Sequence, residues 1–169
     1  MNAPRTAVSI PWLDEEISIS KVVRDFRSAL PGAKIFVYDN GSRDKTVDQA
    51  RAAGAQVRIE SRRGKGHVVR RMFSDIDADI YLLVDGDNTY EAAAAPRLIE
   101  ALIERSLDMV TGCRITGEKS AYRTGHRFGN RLLTRLVTRI LAADSRDMLS
   151  GYRALSRRFV KSFWLRVAG

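Results

Sequence analysis

Ile80 to Val84 is an unbroken run of five apolar residues that stops at Asp85-Gly86-Asp87-Asn88. So short a run, ended by turn residues, is the pattern of a strand buried on both faces of a sheet. Burial on both faces needs helices above and below, and the chain supplies them by alternation. Thr6 to Ile10 is a β-rich run ended by Pro11, and Glu15 to Leu30 then repeats apolar residues at helical spacing. Pro31-Gly32 breaks that helix, Lys34 to Tyr38 is a second strand, and a helix over about Lys45 to Ala53 follows the turn Asp39-Asn40-Gly41-Ser42. Gln56 to Glu60 reads as a third strand, Ser61 to Gly66 as a basic loop, and Val68 to Ile76 as a third helix. Beyond Val84, Pro96 opens a fourth helix through Ile103, and Met109 to Cys113 is a fifth strand. The alternation predicts an α/β fold with a mostly parallel sheet flanked by helices.

The remainder is less regular. Thr116 to Gly125 is a polar loop, and Phe128 to Leu141 carries one apolar helical face with Arg127, Arg131, Arg135 and Arg139 recurring beside it. Met148 to Leu155 reads as a last strand, and Ser156 caps a short helix containing Phe159, Val160 and Phe163. At 169 residues the chain holds one domain's worth of core.

Charge divides the same way. The net charge is +9, but residues 1 to 111 carry 16 basic and 17 acidic side chains, against 13 basic and 3 acidic in residues 112 to 169. A protein coated evenly in positive charge is therefore excluded, and one end faces an anion. The single cysteine, Cys113, allows no disulfide within the chain, and Met1 to Pro11 lacks the apolar core of a signal peptide. A cytoplasmic protein is expected, with any membrane contact peripheral, because no apolar run approaches the ~20 residues of a spanning helix.

Ligands of open α/β sheets bind off the carboxyl ends of the strands. There this sequence places Pro11 and Asp14-Glu15-Glu16 after strand one, Asp39 after strand two, Gly64-Lys65-Gly66 after strand three, and Asp85 with Asp87 after strand four. Two carboxylates separated by a glycine suit one Mg²⁺ or Mn²⁺, which keeps positions for water and phosphate oxygens. Asp39 has two compatible readings, as acceptor for the imide edge of a nucleobase or as an Asx-turn cap, with Asp44 capping the next helix. Lys65 between glycines is either a phosphate contact or part of a solvated loop. His67 and His126 stand apart, with no ligand spacing around them.

Val8 to Glu16, Val37 to Thr46, Arg63 to Gly66, Leu83 to Asp87 and Asp147 to Arg153 stand in the order found in family 2 glycosyltransferases, and the chain resembles the polyprenyl-phosphate sugar transferase branch of that family. The resemblance spans residues 6 to 163. It implies a GT-A, Rossmann-like fold and inverting transfer of a sugar from a nucleotide diphosphate sugar to a lipid-linked phosphate. By the same resemblance, Pro11, Glu15 and Asp39 contact the nucleoside, Lys65 the base and phosphates, and Asp85 and Asp87 the metal and diphosphate. Arg114 and Arg127 match the residues that grip the acceptor phosphate, while Asp147, Ser150, Gly151 and Arg153 match a closing motif. Asp14 stands where the family generally has Asn, and Asn40 where it commonly has a second Asp. The chain ends at Gly169, where relatives continue, so the C-terminal part of the domain is expected to be missing.

Two rival classes follow from the residues alone. Asp85-Gly86-Asp87-Asn88-Thr89 fits the DxDxT nucleophile motif of a haloacid dehalogenase-type phosphatase, though that motif follows a first strand and here three strand-helix units precede it. A basic last third could suit nucleic acid, but aromatics for base stacking are sparse there, and the Phe128 to Leu141 helix has two open readings: an interfacial helix with its arginines on anionic head groups, or a surface helix packed on the sheet with solvated arginines.

Overall fold

The computed structural model describes residues 3–85, 91–112 and 150–167, the last five of these by backbone alone. Strands β1 (Thr6–Trp12), β2 (Lys34–Asp39), β3 (Gln56–Ile59), β4 (Ile80–Leu83), β5 (Met109–Thr111) and β6 (Arg153–Ser156) form one sheet in the order β3-β2-β1-β4-β6-β5. The first four run parallel, and β6 enters antiparallel between β4 and β5. The expected α/β architecture is present, with a mixed edge that periodicity does not reveal.

Helices α1 (Glu16–Ala29), α2 (Thr46–Ala52) and α4 (Ala95–Glu104) cover one face, and α3 (Lys65–Asp75) and α5 (Arg157–Val167) the other. Strand alternation decides which residues meet which layer. Val8, Ile10, Ile35, Val37, Ile80 and Leu82 pack under α1, α2 and α4 with Ile19, Val23 and Phe26. Ala7, Phe36, Tyr38 and Tyr81 pack against Val68, Met72, Phe73 and Val160 on the other side. The run that ends at Asp85 is thus buried on both faces, as its composition requires.

Several boundaries differ from expectation, and the last strand begins at Arg153 rather than Met148, because Ser150 and Gly151 turn against Gly112 and Asp85. Pro11 does not end β1, which continues through Trp12. Val84 N–H donates to Ser9 O and Asn40 N–H to Trp12 O, so alternate residues of β1 bond to β4 and β2. Pro11 has its missing N–H on the β4 side, where that ladder has already ended, and nothing is lost. Helix α3 begins at Lys65 rather than Val68, because Gly64 takes φ +117°, which strongly favours glycine, and turns the chain directly into the helix. Ser156 caps α5 as expected, its Oγ accepting from Phe159 N–H at 3.0 Å.

Candidate active site

Two strand-end loops, after β1 and after β2, are laced by side chains bonding to each other's backbone. Ser42 Oγ accepts from Asp14 N–H (2.9 Å), and Asp14 Oδ1 accepts from Arg43 N–H (2.8 Å). Glu16 Oε2 accepts from Lys45 N–H (2.9 Å), and Thr46 Oγ1 from Glu15 N–H (3.2 Å). Asp44 accepts from Glu16 N–H at 3.1 Å and from Thr46 N–H at 3.0 Å, so one carboxylate serves the N-terminal ends of α1 and α2 together. It acts from the residue before the Lys45 cap position, a wider role than the single-helix cap expected of it. The Thr46 hydroxyl, above all, holds the Asp44 carboxyl below its ordinary range. Asp14 sits at φ +48°, a left-handed conformation that Asn and Asp both tolerate, so the departure from Asn at this position is physically mild.

Above these loops lies a cleft of about 370 Å³ lined by Pro11, Trp12, Glu15, Asn40, Lys65 and Asp85, with Leu13, Arg63, Gly64 and Val68 completing the wall. Of the residues expected at a nucleotide sugar, Pro11, Glu15, Lys65 and Asp85 are brought together here. Asp39 is not among the lining residues: it is buried, and its carboxylate accepts from Gly41 N–H (3.0 Å) and Ser42 N–H (3.1 Å). That geometry is the Asx-turn reading. Lys65 Nζ pairs with Asp85 Oδ1 across the cleft floor.

Asp85 is backed by the segment entering β6. Its N–H donates to Gly151 O at 3.1 Å, and a methyl group built on Gly151 would overlap the Asp85 carboxylate. Only glycine leaves that space. Ser150 Oγ donates to Gly112 O and accepts from Tyr152 N–H at 3.3 Å, tying the turn to the end of β5. Arg153 Nε donates to Ser150 O at 3.0 Å. The described part of the closing motif, Ser150 to Arg153, noted in sequence without a defined role, thus supplies the wall behind Asp85. Asp87, Arg114, Arg127 and Asp147 lie outside the described residues, as do His126 and the helix expected over Phe128 to Leu141.

Whether a divalent cation suits this place can be judged from the ion pair itself, since the Asp85 carboxylate already holds one cation, the Lys65 ammonium. Among the described residues no three His, Cys, Asp or Glu side chains converge. A hard cation bound through one or two carboxylates, with phosphate and water oxygens completing its shell, needs no such cluster.

Sequence reasoning did not single out Trp12 or Arg63 as parts of the site, placed Gly151 in the closing motif without a role, and read Asn40 as a turn residue standing where the family commonly has Asp. Trp12 and Arg63 flank motif residues and could have been found by adjacency. The roles of Asn40 and Gly151 depend on which segments approach them in space.

Protein RfbJ of Shigella flexneri is 54% identical over 120 residues, covering 70% of this chain and 93% of that protein. A dolichyl-phosphate hexose transferase of Haloferax volcanii is 30% identical over 154 residues, covering 91% of this chain and 67% of that protein. The crystal structure of glucosyl-3-phosphoglycerate synthase from Mycobacterium tuberculosis in complex with Mn²⁺, UDP and phosphoglyceric acid superposes with a TM-score of 0.74 at 26% identity, over 92% of this chain and 56% of that one. The chain spans about half the length of several other curated relatives it matches. The glycosyl transferase family 2 pattern matches residues 7–164, and with a GT-A sheet presenting its cleft at the strands' carboxyl ends, the chain belongs to that family.

Proposed function

We infer that this protein transfers a sugar, with inversion, from a UDP- or GDP-linked donor to an anionic acceptor, a polyprenyl phosphate. The observation that carries the reading is the convergence of Glu15, Lys65 and Asp85 on one cleft at the carboxyl ends of β1, β3 and β4. The Mn²⁺ and UDP held by the similar mycobacterial synthase support the donor class, and the dolichyl-phosphate hexose transferase supports the acceptor class.

In this mechanism Pro11 and Glu15 receive the nucleoside beside the turn that Asp39 caps, and Lys65 meets the diphosphate, with the N-terminal end of α3 beside it favouring negative charge. Asp85 and Asp87 hold the divalent cation, Mg²⁺ or Mn²⁺. When bound, it neutralises charge on the departing diphosphate. Arg114 and Arg127 grip the acceptor phosphate, a task suited to the guanidinium fork. An acceptor phosphate oxygen, already ionised at neutral pH, attacks the anomeric carbon as the bond to the diphosphate breaks, and the electron pair leaves with the diphosphate. No general base is needed to make this nucleophile. Ser150 and Arg153 hold the turn that walls off Asp85.

Among the described residues no helix is long and apolar enough to cross a membrane. The +10 balance of residues 112 to 169 suits peripheral contact with anionic lipid at the cytoplasmic face, where a polyprenyl phosphate would be met. Family membership leaves no support for the phosphatase or nucleic-acid readings.

The test is transfer of label from UDP- and GDP-sugars to polyprenyl phosphate carried in anionic vesicles, with Mn²⁺ or Mg²⁺. Labelled lipid is expected, and Asp85→Asn should reduce its formation by roughly 10²-fold or more. The protein should float with the vesicles at low salt. No labelled lipid from any donor, or transfer untouched by the substitution, would overturn the reading. Phosphate release from small esters would favour the phosphatase.

A further inference from the structure

Asn40, at the carboxyl end of β2, is buried, and every polar atom of its side chain is committed to one neighbouring loop. Its Nδ2 donates to Glu60 O at 2.9 Å and to Arg62 O at 2.8 Å, and its Oδ1 accepts from Gly64 N–H at 2.8 Å. Its backbone N–H donates to Trp12 O at 3.0 Å, fixing it to β1. Two amide hydrogens thus face two carbonyls and one amide oxygen faces one N–H, a full match for a primary amide. An ionised Asp at this position would set negative charge against two carbonyl oxygens. A hydroxyl side chain offers a single donor. The identity of residue 40 is therefore set by the loop from Glu60 to Gly64, whose far end turns through Gly64 into α3 and delivers Lys65 to the cleft.

We propose that Asn40 is a positioning residue for donor binding: its amide clamps the Glu60 to Gly64 loop, so that Lys65 reaches Asp85 and the diphosphate site. The proposal rests on the cleft being a donor site, and it acts through Lys65 rather than through contact with the sugar. It also gives a physical reason for Asn where the family commonly has Asp.

The experiment uses the full chain with Asn40→Asp and Asn40→Ala, alone and combined with Lys65→Ala. Without any ligand, amide hydrogen exchange over residues 62 to 67 should accelerate by about tenfold in both Asn40 variants, the exchange of β1 and α1 staying as in the wild type. With Mn²⁺, the Kd for UDP- or GDP-sugar should rise by about tenfold in each single variant, while the double variants bind no more weakly than Lys65→Ala alone. In turnover, KM for the donor should rise while kcat changes less. Unchanged exchange over residues 62 to 67, or losses that multiply with Lys65→Ala, would overturn the clamp. If the wild type binds no nucleotide sugar, the donor reading fails, and the exchange measurement still decides whether the clamp exists. Asn40→Ala introduces no charge and carries the test if Asn40→Asp does not fold.

Discussion

The two ends of the sheet use the same polar residue types in opposite ways. At the amino end, Arg5 pairs with Asp77 (3.1 Å) and Asp79 (3.2 Å), and Arg157 pairs with Asp77 again, all between side chains that are roughly half exposed. At the carboxyl end, Asp14, Glu16, Asp39, Asp44 and Asn40 turn to backbone N–H groups and carbonyls of neighbouring loops. The first arrangement cancels charge against charge in water, where each pair contributes little. The second substitutes side chains for water around loop backbone, which fixes the loops and leaves Glu15, Lys65 and Asp85 to face a ligand. A count of carboxylates cannot tell these uses apart; their partners can.

The largest effect is expected at Gly151. Gly151→Ala should push the Asp85 carboxylate aside and reduce sugar transfer by roughly 10²-fold, a displacement-sized effect. Measured beside Tm, a loss of activity with an unaltered fold would mark Gly151 as the wall of the site, and full activity would show that Asp85 is placed by other means. A middling effect is expected at Thr46, which is fully buried and bonded to both Asp44 and Glu15. Thr46→Val keeps the shape, strands those partners, and should lower stability by about 1 to 2 kcal/mol in denaturant titration. An unchanged midpoint would mean that water replaces the lacing.

The smallest effect belongs to the amino end. Arg157→Ala should leave Tm at neutral pH close to the wild-type value, because Arg5 continues to serve both carboxylates. Its signature is in acid. Hydrogen bonds from Arg5, first among several causes, hold Asp77 and Asp79 below the ordinary carboxyl value of 3.8. A depressed folded pKa contributes stability that is present above that value and lost as pH falls through the folded pKa. The wild-type Tm should therefore drop below pH 3.8, and Arg157→Ala should blunt part of that drop. Parallel acid profiles for the two proteins would remove Arg157 from the network.

Much of this was legible in the sequence, and the gaps have physical causes. Ile80 to Val84 announced a doubly buried strand by composition, and Ser156 announced a helix cap by chemistry, because both signals are local. The antiparallel direction of β6 left no trace, since alternation of side chains is the same in either direction. Pro11 misled because its missing N–H matters only where a neighbouring strand is present to receive it. Asp39 was legible as both a turn cap and a base contact, and the structure shows the cap. The donor and acceptor roles of the other motif residues came from resemblance, whereas the parts played by Asn40 and Gly151 became visible only when Glu60 to Gly64 and Asp85 were seen beside them.

The insertion of β6 between β4 and β5 also has a consequence in time. A chain leaving the ribosome completes β1 to β5 while β4 still has an open edge and Asp85 has no wall behind it. Some forty residues separate Thr111 from Arg153, and pairings so distant in sequence form late because their loop must close first. The strand that seals the sheet is the one whose entry carries Gly151, so the last stretch of the sheet to be synthesised also finishes the pocket.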